Sequence, residues 1–304
     1  TIYSIFVHQM RVYNRCMTNK MIMKKQTIGF LTIATLISSI FFSCNDGKVK
    51  QYGNMEFDSI KIDNTASLIN DSTSPNCNLR IDFVYPVKCD NQVLMDSVNR
   101  ALIVTCFGKA YDGLDATAAV DSFRNTYVKE YRTDLQALYR EDLQNSNGEE
   151  SVGGWYSYYQ SIEARPLSEN SRYLVYAVNE SEYRGGAHGT YSTNFINFNA
   201  ENGSILHLND VFKPNYKNAV SELLLEKLMK DTDSATLEEL EDKAYLQDTE
   251  MYPSENFRLG KDSIYFFYNV YEIAPYSTGA TEIALSYDVL QGLLKEQPVN
   301  TNKK

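Results

Sequence analysis

Three consecutive stretches of strand character, Trp155 to Ala164, Tyr173 to Tyr183 and Tyr191 to Phe198, are bounded only by short clusters of Gly, Asn, Pro and Ser. Strands joined by such short connections leave no room for a crossover, so they pair antiparallel. Upstream, Leu79, Ile81, Phe83 and Tyr85 alternate with Asn78, Arg80, Asp82 and Val84, the period of a half-buried strand ending at Pro86. A helix is expected next, capped by Asp90, with Leu94, Val98, Ala101, Leu102 and Thr105 on one face and Gly108 as its stop. A longer helix after Asp115 carries Val120, Phe123, Tyr127, Tyr131, Leu135 and Leu138 at steps of three or four. Further on, the pattern predicts a helix from about Asn215 to Lys230, another capped by Ser234 and running through Tyr245, strands over Ser263 to Tyr271 and Thr281 to Tyr287, and a short helix over Val289 to Lys295. Helices segregated from antiparallel strands define an α+β fold, with helices packed on one face of the sheets and two small consecutive domains.

The N-terminal region reads as an address. Met23-Lys24-Lys25, an apolar run from Ile28 to Phe42 and then Ser43-Cys44 form a basic start, a short greasy core and a cysteine. The run is too short and too interrupted by Thr, Ser and Gly for a bilayer-spanning helix, which needs roughly 20 apolar residues. Residues 23–43 are therefore expected to be a lipoprotein signal peptide and Cys44 the lipidated first residue of the mature chain. Residues 1–22 show no recognisable order and read as an upstream start-site artefact. Residues 44–76, rich in Ser, Thr, Asn and Asp, read as a polar tether, and residues 297–304 as a polar tail. The expected place is the cell envelope, outside the cytoplasm, lipid-anchored at the outer membrane or cell surface.

From Cys44 onward the chain holds 24 basic and 39 acidic side chains, a net charge of −15. Such a surface disfavours nucleic acid and speeds encounter with cationic partners. Of five cysteines, Cys16 and Cys44 fall in the N-terminal region, leaving Cys77, Cys89 and Cys106. In an oxidising compartment two of these three are expected to pair, in a combination that spacing does not reveal, the alternative being three buried thiols. They lack CxxC spacing and neighbouring histidines, so neither a metal site nor a cofactor is expected.

Gly185-Gly186-Ala187-His188-Gly189 joins two expected strands, and its glycines permit the positive φ and close approach of a tight connection. A catalytic reading would make His188 a base beside Glu180, Glu182 or Arg184. No oriented nucleophile or further zinc ligand accompanies it, and His207 is the one other histidine after Cys44. A structural or recognition role is the stronger reading, and no catalytic residue is assigned. Tyrosine occurs 23 times, densely in Trp155-Tyr156-Ser157-Tyr158-Tyr159, Tyr265-Phe266-Phe267-Tyr268 and Tyr271 to Tyr276. Most belong in the sheets, and the remainder suit a recognition face, where rings offer contact area at low entropy cost.

The order of GGAHG, Asn197-Phe198-Asn199 with Gly203, Leu206-His207-Leu208-Asn209-Asp210-Val211-Phe212, and Tyr271-Glu272-Ile273-Ala274-Pro275-Tyr276 with Gly279 resembles the paired extracellular domains of the lysozyme-binding anti-sigma-V factor family. The same pair precedes the catalytic domain in peptidoglycan deacetylase C. The resemblance covers about Cys77 to Lys295 and implies a deacetylase-C-like α+β domain over residues 77–203 and a sensor-type C-terminal α+β domain over residues 204–296. It implies a non-catalytic extracytoplasmic module that binds a lysozyme-like protein or peptidoglycan. Tyr183, Arg184, Gly185, Gly186, His188, Tyr271, Glu272 and Tyr276 are then the candidate binding residues. The sigma-binding segment and the deacetylase metal site have no counterpart here, so signalling and deacetylation are not implied. The alternatives are a cell-wall glycan hydrolase using His188 with Glu182 or Glu272, and a purely structural surface lipoprotein.

Overall fold

A computed structural model describes residues 55–146, 154–169 and 172–295. The expected signal peptide, Cys44, residues 1–22 and the tail at 297–304 lie outside the described residues.

Five strands form the first sheet: β1 (Glu56–Ser67), β2 (Asn76–Lys88), β3 (Tyr158–Glu169), β4 (Tyr173–Tyr183) and β5 (Thr190–Asn199), in the order β1-β2-β3-β4-β5. Neighbours are antiparallel as expected, except that β2 and β3 run parallel. Two helices between those strands supply the crossover a parallel pair requires: α1 (Gln92–Phe107) and α2 (Ala116–Asn145). α2 starts after Asp115 as expected, and Asp115 caps it, accepting from the Ala118 amide at 2.8 Å. The cap of α1 is Asn91 and not Asp90: its Oδ1 accepts from the Leu94 amide at 3.1 Å, while its Nδ2 donates to the Glu201 carbonyl at 2.7 Å.

Cys77, Leu79, Ile81 and Phe83 alternate inward along β2 and pack under Leu94, Val98 and Leu102 of α1 and Val120, Tyr127, Tyr131 and Leu135 of α2. Each large apolar side chain so buried contributes roughly 1.5–3 kcal/mol before chain entropy is counted.

The structure differs from the expected tether. Residues 56–67 are β1, paired along β2 with Ile62 opposite Ile81 and Ala66 opposite Cys77. Its inward residues Phe57, Ile60 and Ile62 are interleaved with Asp58, Lys61 and Asp63 on the solvent side. An edge strand with one charged face has low mean hydropathy, and that composition hides it among loop-like residues.

The expected disulfide is also corrected: Cys77, Cys89 and Cys106 are all free thiols. Cys77 and Cys89 stand at opposite ends of β2, roughly 40 Å apart along an extended strand, whereas a disulfide needs Cα atoms within about 7 Å. Burial pushes the Cys77 thiol up to about 11 and the Cys106 thiol higher still. Alkylation of the native protein should therefore label half-buried Cys89 first, with Cys77 and Cys106 reacting only after unfolding. Peptide mapping by mass spectrometry reads this directly, and equal labelling of the three would refute the packing.

The second sheet is a three-stranded antiparallel meander of β6 (Phe257–Leu259), β7 (Ser263–Tyr268) and β8 (Thr281–Ser286). Around it lie α3 (Leu208–Val211), α4 (Tyr216–Asp231), α5 (Leu237–Asp242) and α6 (Tyr287–Leu290). Phe212, Val220, Leu224, Leu228, Phe266 and Leu285 build its core. Several elements start or end elsewhere than expected, β8 ending at Ser286 and β3 running from Tyr158 to Glu169 among them. Thr236 replaces Ser234 as the cap of α5, accepting from the Glu239 amide, while the Ser234 hydroxyl takes the Lys243 ammonium. Ser286 starts α6 ahead of Val289. β7 stops at Tyr268, because Tyr271 turns the chain with φ +69°.

The outer edge of β5 is covered by side-chain amides. Asn197 donates to the Phe257 carbonyl at 2.7 Å and accepts from the Leu259 amide at 2.9 Å. Asn256 accepts from the Phe195 amide and donates to the Thr193 carbonyl, and Asn269 accepts from the Thr193 amide. Tyr173 on β4 and Tyr287 on α6 both donate to the Gly260 carbonyl, at 2.7 and 2.9 Å. These bonds satisfy an edge that would otherwise expose unpaired backbone groups, and they tie the two sheets together.

Candidate binding face

The loop from Arg184 to Gly189 connects β4 to β5. Gly185 has φ +79° and Gly186 has φ +115°, the conformation the glycine cluster predicted. At Gly185 a Cβ would also stand 2.8 Å from the Trp155 carbonyl oxygen. Gly189 is small for another reason: a Cβ there would meet the Glu182 carbonyl and the Tyr159 hydroxyl, each at 2.8 Å. The Tyr183 hydroxyl donates to the Gly186 carbonyl at 3.0 Å and braces the loop from within.

This loop meets the β7–β8 loop through aromatic rings. His188 stacks on Tyr276 with centroids 4.2 Å apart and planes 27° from parallel. Tyr191, at the start of β5, meets Tyr276 edge-on at 5.7 Å, and Tyr271 lies 5.9 Å from it. Tyr276 is thus the hub of a four-ring cluster in which His188, Tyr191 and Tyr271 are exposed. His188 and Tyr276, 88 positions apart in the chain, come together because the asparagine-covered edge of β5 carries the second sheet alongside it. Tyr191 is absent from the sequence-derived candidates; its mark is its place three residues past His188, at the open end of a strand.

Tyr271 is 63% exposed and holds a left-handed backbone, an arrangement that costs a non-glycine residue of order 1–3 kcal/mol. Its ring buries little in return. Tyr271→Gly should raise stability by about 1 kcal/mol, through relief of that strain, while weakening whatever the face binds. Thermal denaturation and a binding assay on the same preparation test this pair of outcomes. Lower stability on substitution would mean that the ring serves the fold.

The remaining candidates sort differently. Arg184 and Glu182 pair with each other at 2.8 Å. Glu272 is turned inward: Oε2 is buried without a hydrogen-bond partner, and burial holds its carboxyl above the ordinary carboxylate range against opposing hydrogen bonds from Asn269. His188 Nδ1 lies 2.8 Å from the Gly189 carbonyl, so that nitrogen carries the proton in this contact. The ring is therefore occupied by a backbone carbonyl and Tyr276, and Glu182 by Arg184. That geometry suits recognition. Among the described residues no group of three or more His, Cys, Asp or Glu side chains stands close enough to hold a metal ion, and no helix is long and apolar enough to cross a membrane.

An α+β chain of two hydrogen-bonded sheets, carrying an exposed aromatic cluster between two loops, is the class these features define. Residues 209–288 match the family described as protein of unknown function DUF3298. A crystal structure of a member of that family from Bacteroides fragilis is 44% identical and superposes with a TM-score of 0.77, over 81% of this chain and 96% of that one. The chain belongs to the DUF3298 family. A DUF3298 family protein from Pseudomonas aeruginosa, 17% identical, shares the fold with a TM-score of 0.54 over 80% of this chain and 96% of that one. Among curated proteins, peptidoglycan-N-acetylmuramic acid deacetylase PdaC of Bacillus subtilis is 29% identical over 135 residues, 43% of this chain. The match spans 28% of that enzyme's length.

Proposed function

We propose that this protein is a non-catalytic, extracytoplasmic binding module of the cell envelope, anchored through lipid on Cys44, and that the ring cluster of His188, Tyr191, Tyr271 and Tyr276 takes the glycan of peptidoglycan. The observation that carries the reading is the exposed stack of His188 on Tyr276, flanked by two further rings. Such surfaces present flat, rigid area to a sugar ring at small entropic cost, and no charged group at the hub demands an ionic ligand. Similarity to part of a peptidoglycan deacetylase supports the same ligand class. The five-stranded sheet with α1 and α2, now including β1, and the three-stranded sheet with its helices then form the two modules of one binding unit. The test is co-sedimentation of the purified protein with isolated peptidoglycan, where retention in the pellet is expected. A protein left wholly in the supernatant would reject the glycan reading.

A second reading rests on charge. With −15 over the part following Cys44, a cationic lysozyme-like protein would be steered to this surface. Calorimetry against lysozyme at about 0.15 M and 0.5 M salt separates the two, since exposed charges are screened within roughly 8 Å at the lower salt and less at the higher. Heat that persists at high salt supports a specific protein interface. Heat that vanishes leaves only general attraction, and the glycan reading stands alone.

A further inference from the structure

On the opposite edge of the first sheet, where β1 meets α2, a cavity of about 460 Å³ opens between the two elements. Its walls include Asn64 and Ala66 from β1 and Arg124, Val128, Lys129 and Arg132 from α2. Three cations and no carboxylate line it, in a chain with a large acidic excess. Two of the cations are steadied from outside the cavity. Arg132 Nε donates to the Ser67 carbonyl at 3.0 Å, and Arg124 pairs at 3.1 Å with Asp121, one turn earlier on the same helix. Lys129 has neither a hydrogen bond nor an ion pair among the described residues.

Like charges gathered around a concavity repel one another, and low-dielectric walls focus their potential into it. Three basic side chains about one cleft, with Lys129 unpaired and no carboxylate in the lining, leave a local positive potential that a bound anion would neutralise. The cavity's size suits a small ligand or one group of a larger one. Arg132 and Arg124 each keep guanidinium N–H groups beyond the contacts named, and a planar guanidinium matches a carboxylate or phosphate oxygen pair. The apolar floor of Ala66 and Val128 would accept the ligand's carbon skeleton.

We infer that this cleft is an oxyanion-binding site, specific for a carboxylate or phosphate group, separate from the aromatic face and independent of it. A bound oxyanion would lie between Lys129 and the free N–H groups of Arg124 and Arg132, with its body along the exposed edge of β1.

The test is an NMR shift titration of the full protein with N-acetylmuramic acid, which supplies a sugar carboxylate, and separately with inorganic phosphate. Resonances of β1 and α2 near the cleft should move, with a Kd on the order of 1 mM for so small a probe. Movement with N-acetylmuramic acid alone identifies the carboxylate as the ligand group. Movement with phosphate alone identifies phosphate, and movement with both assigns the broader oxyanion class. Lys129→Glu should weaken binding about tenfold or more, because it places a negative charge where the anion sits. Asp121→Asn should strengthen it by freeing Arg124 from its ion pair, an effect that no loss of folding can imitate. Shifts confined to other surfaces, no shift with either probe, or affinities indifferent to both substitutions would overturn the inference while leaving the aromatic face untouched.

Discussion

Asn197→Leu should lower stability by roughly 2–5 kcal/mol, read as a fall in the midpoint of urea unfolding, because it removes the partner of two buried backbone groups at once. Asn197 is 2% exposed. Its amide nitrogen reaches the Phe257 carbonyl at 2.7 Å and its oxygen receives the Leu259 amide at 2.9 Å, so one side chain stands in for a rung of a β-ladder between β5 and β6. Leucine restores the volume and restores neither bond. Each orphaned group inside the protein costs about 1–3 kcal/mol, whereas a bond simply exchanged for water costs far less. Asn197→Asp sharpens the test. It preserves the acceptor for Leu259 but turns a second oxygen toward the Phe257 carbonyl, so a buried carboxyl there is held protonated to a higher pH than in the unfolded chain. A folded-state pKa above the unfolded one means the variant's stability is greatest below the unfolded value and falls as pH rises through the folded value. A loss under about 1 kcal/mol for Asn197→Leu would show that the edge of β5 is satisfied by other means.

That seam also marks where sequence reading stops. β3, β4 and β5 were legible because alternation and turn residues are local signals, and so was the start of α2 after Asp115, whereas the caps of α1 and α5 lie one and two residues past the acceptors expected at Asp90 and Ser234. Asn197, Asn256 and Asn269 carry no periodicity. Their role is set by what a distant strand places opposite them, which no local pattern encodes. β1 escaped because its charged solvent face outweighs Phe57, Ile60 and Ile62, and the free state of the three cysteines escaped because pairing depends on where the folded chain places them. The candidate face was half legible: both loops were visible as motifs, while their contact through Tyr276 follows from the asparagine seam and is a property of the folded chain alone.

Tyr276→Ala should reduce retention on peptidoglycan by on the order of 30-fold, about 2 kcal/mol, the scale of a central aromatic anchor. The size follows from position. Tyr276 contacts the rings of His188, Tyr191 and Tyr271, so its removal takes away its own surface and the support that holds His188 flat at 4.2 Å. Aromatic contacts of this kind are worth roughly 0.5–1.5 kcal/mol each beyond area, and part of that organisation exists before any ligand arrives. Tyr276→Phe keeps the ring and should keep most of the binding, which distinguishes stacking from hydrogen bonding by the hydroxyl. His188→Ala should give a smaller loss, because it removes one outer ring and leaves the hub. The fold offers an internal control: the second core is built from Phe212, Val220, Leu224, Leu228, Phe266 and Leu285, none of which belongs to the cluster, so unfolding midpoints of these variants should change little while binding falls. Binding unaltered in Tyr276→Ala, with the wild type retained on the same material, would place the glycan contact elsewhere on the molecule. Retention lost on His188→Ala but kept on Tyr276→Ala would instead make the imidazole itself the recognising group, with the stack serving only to orient it.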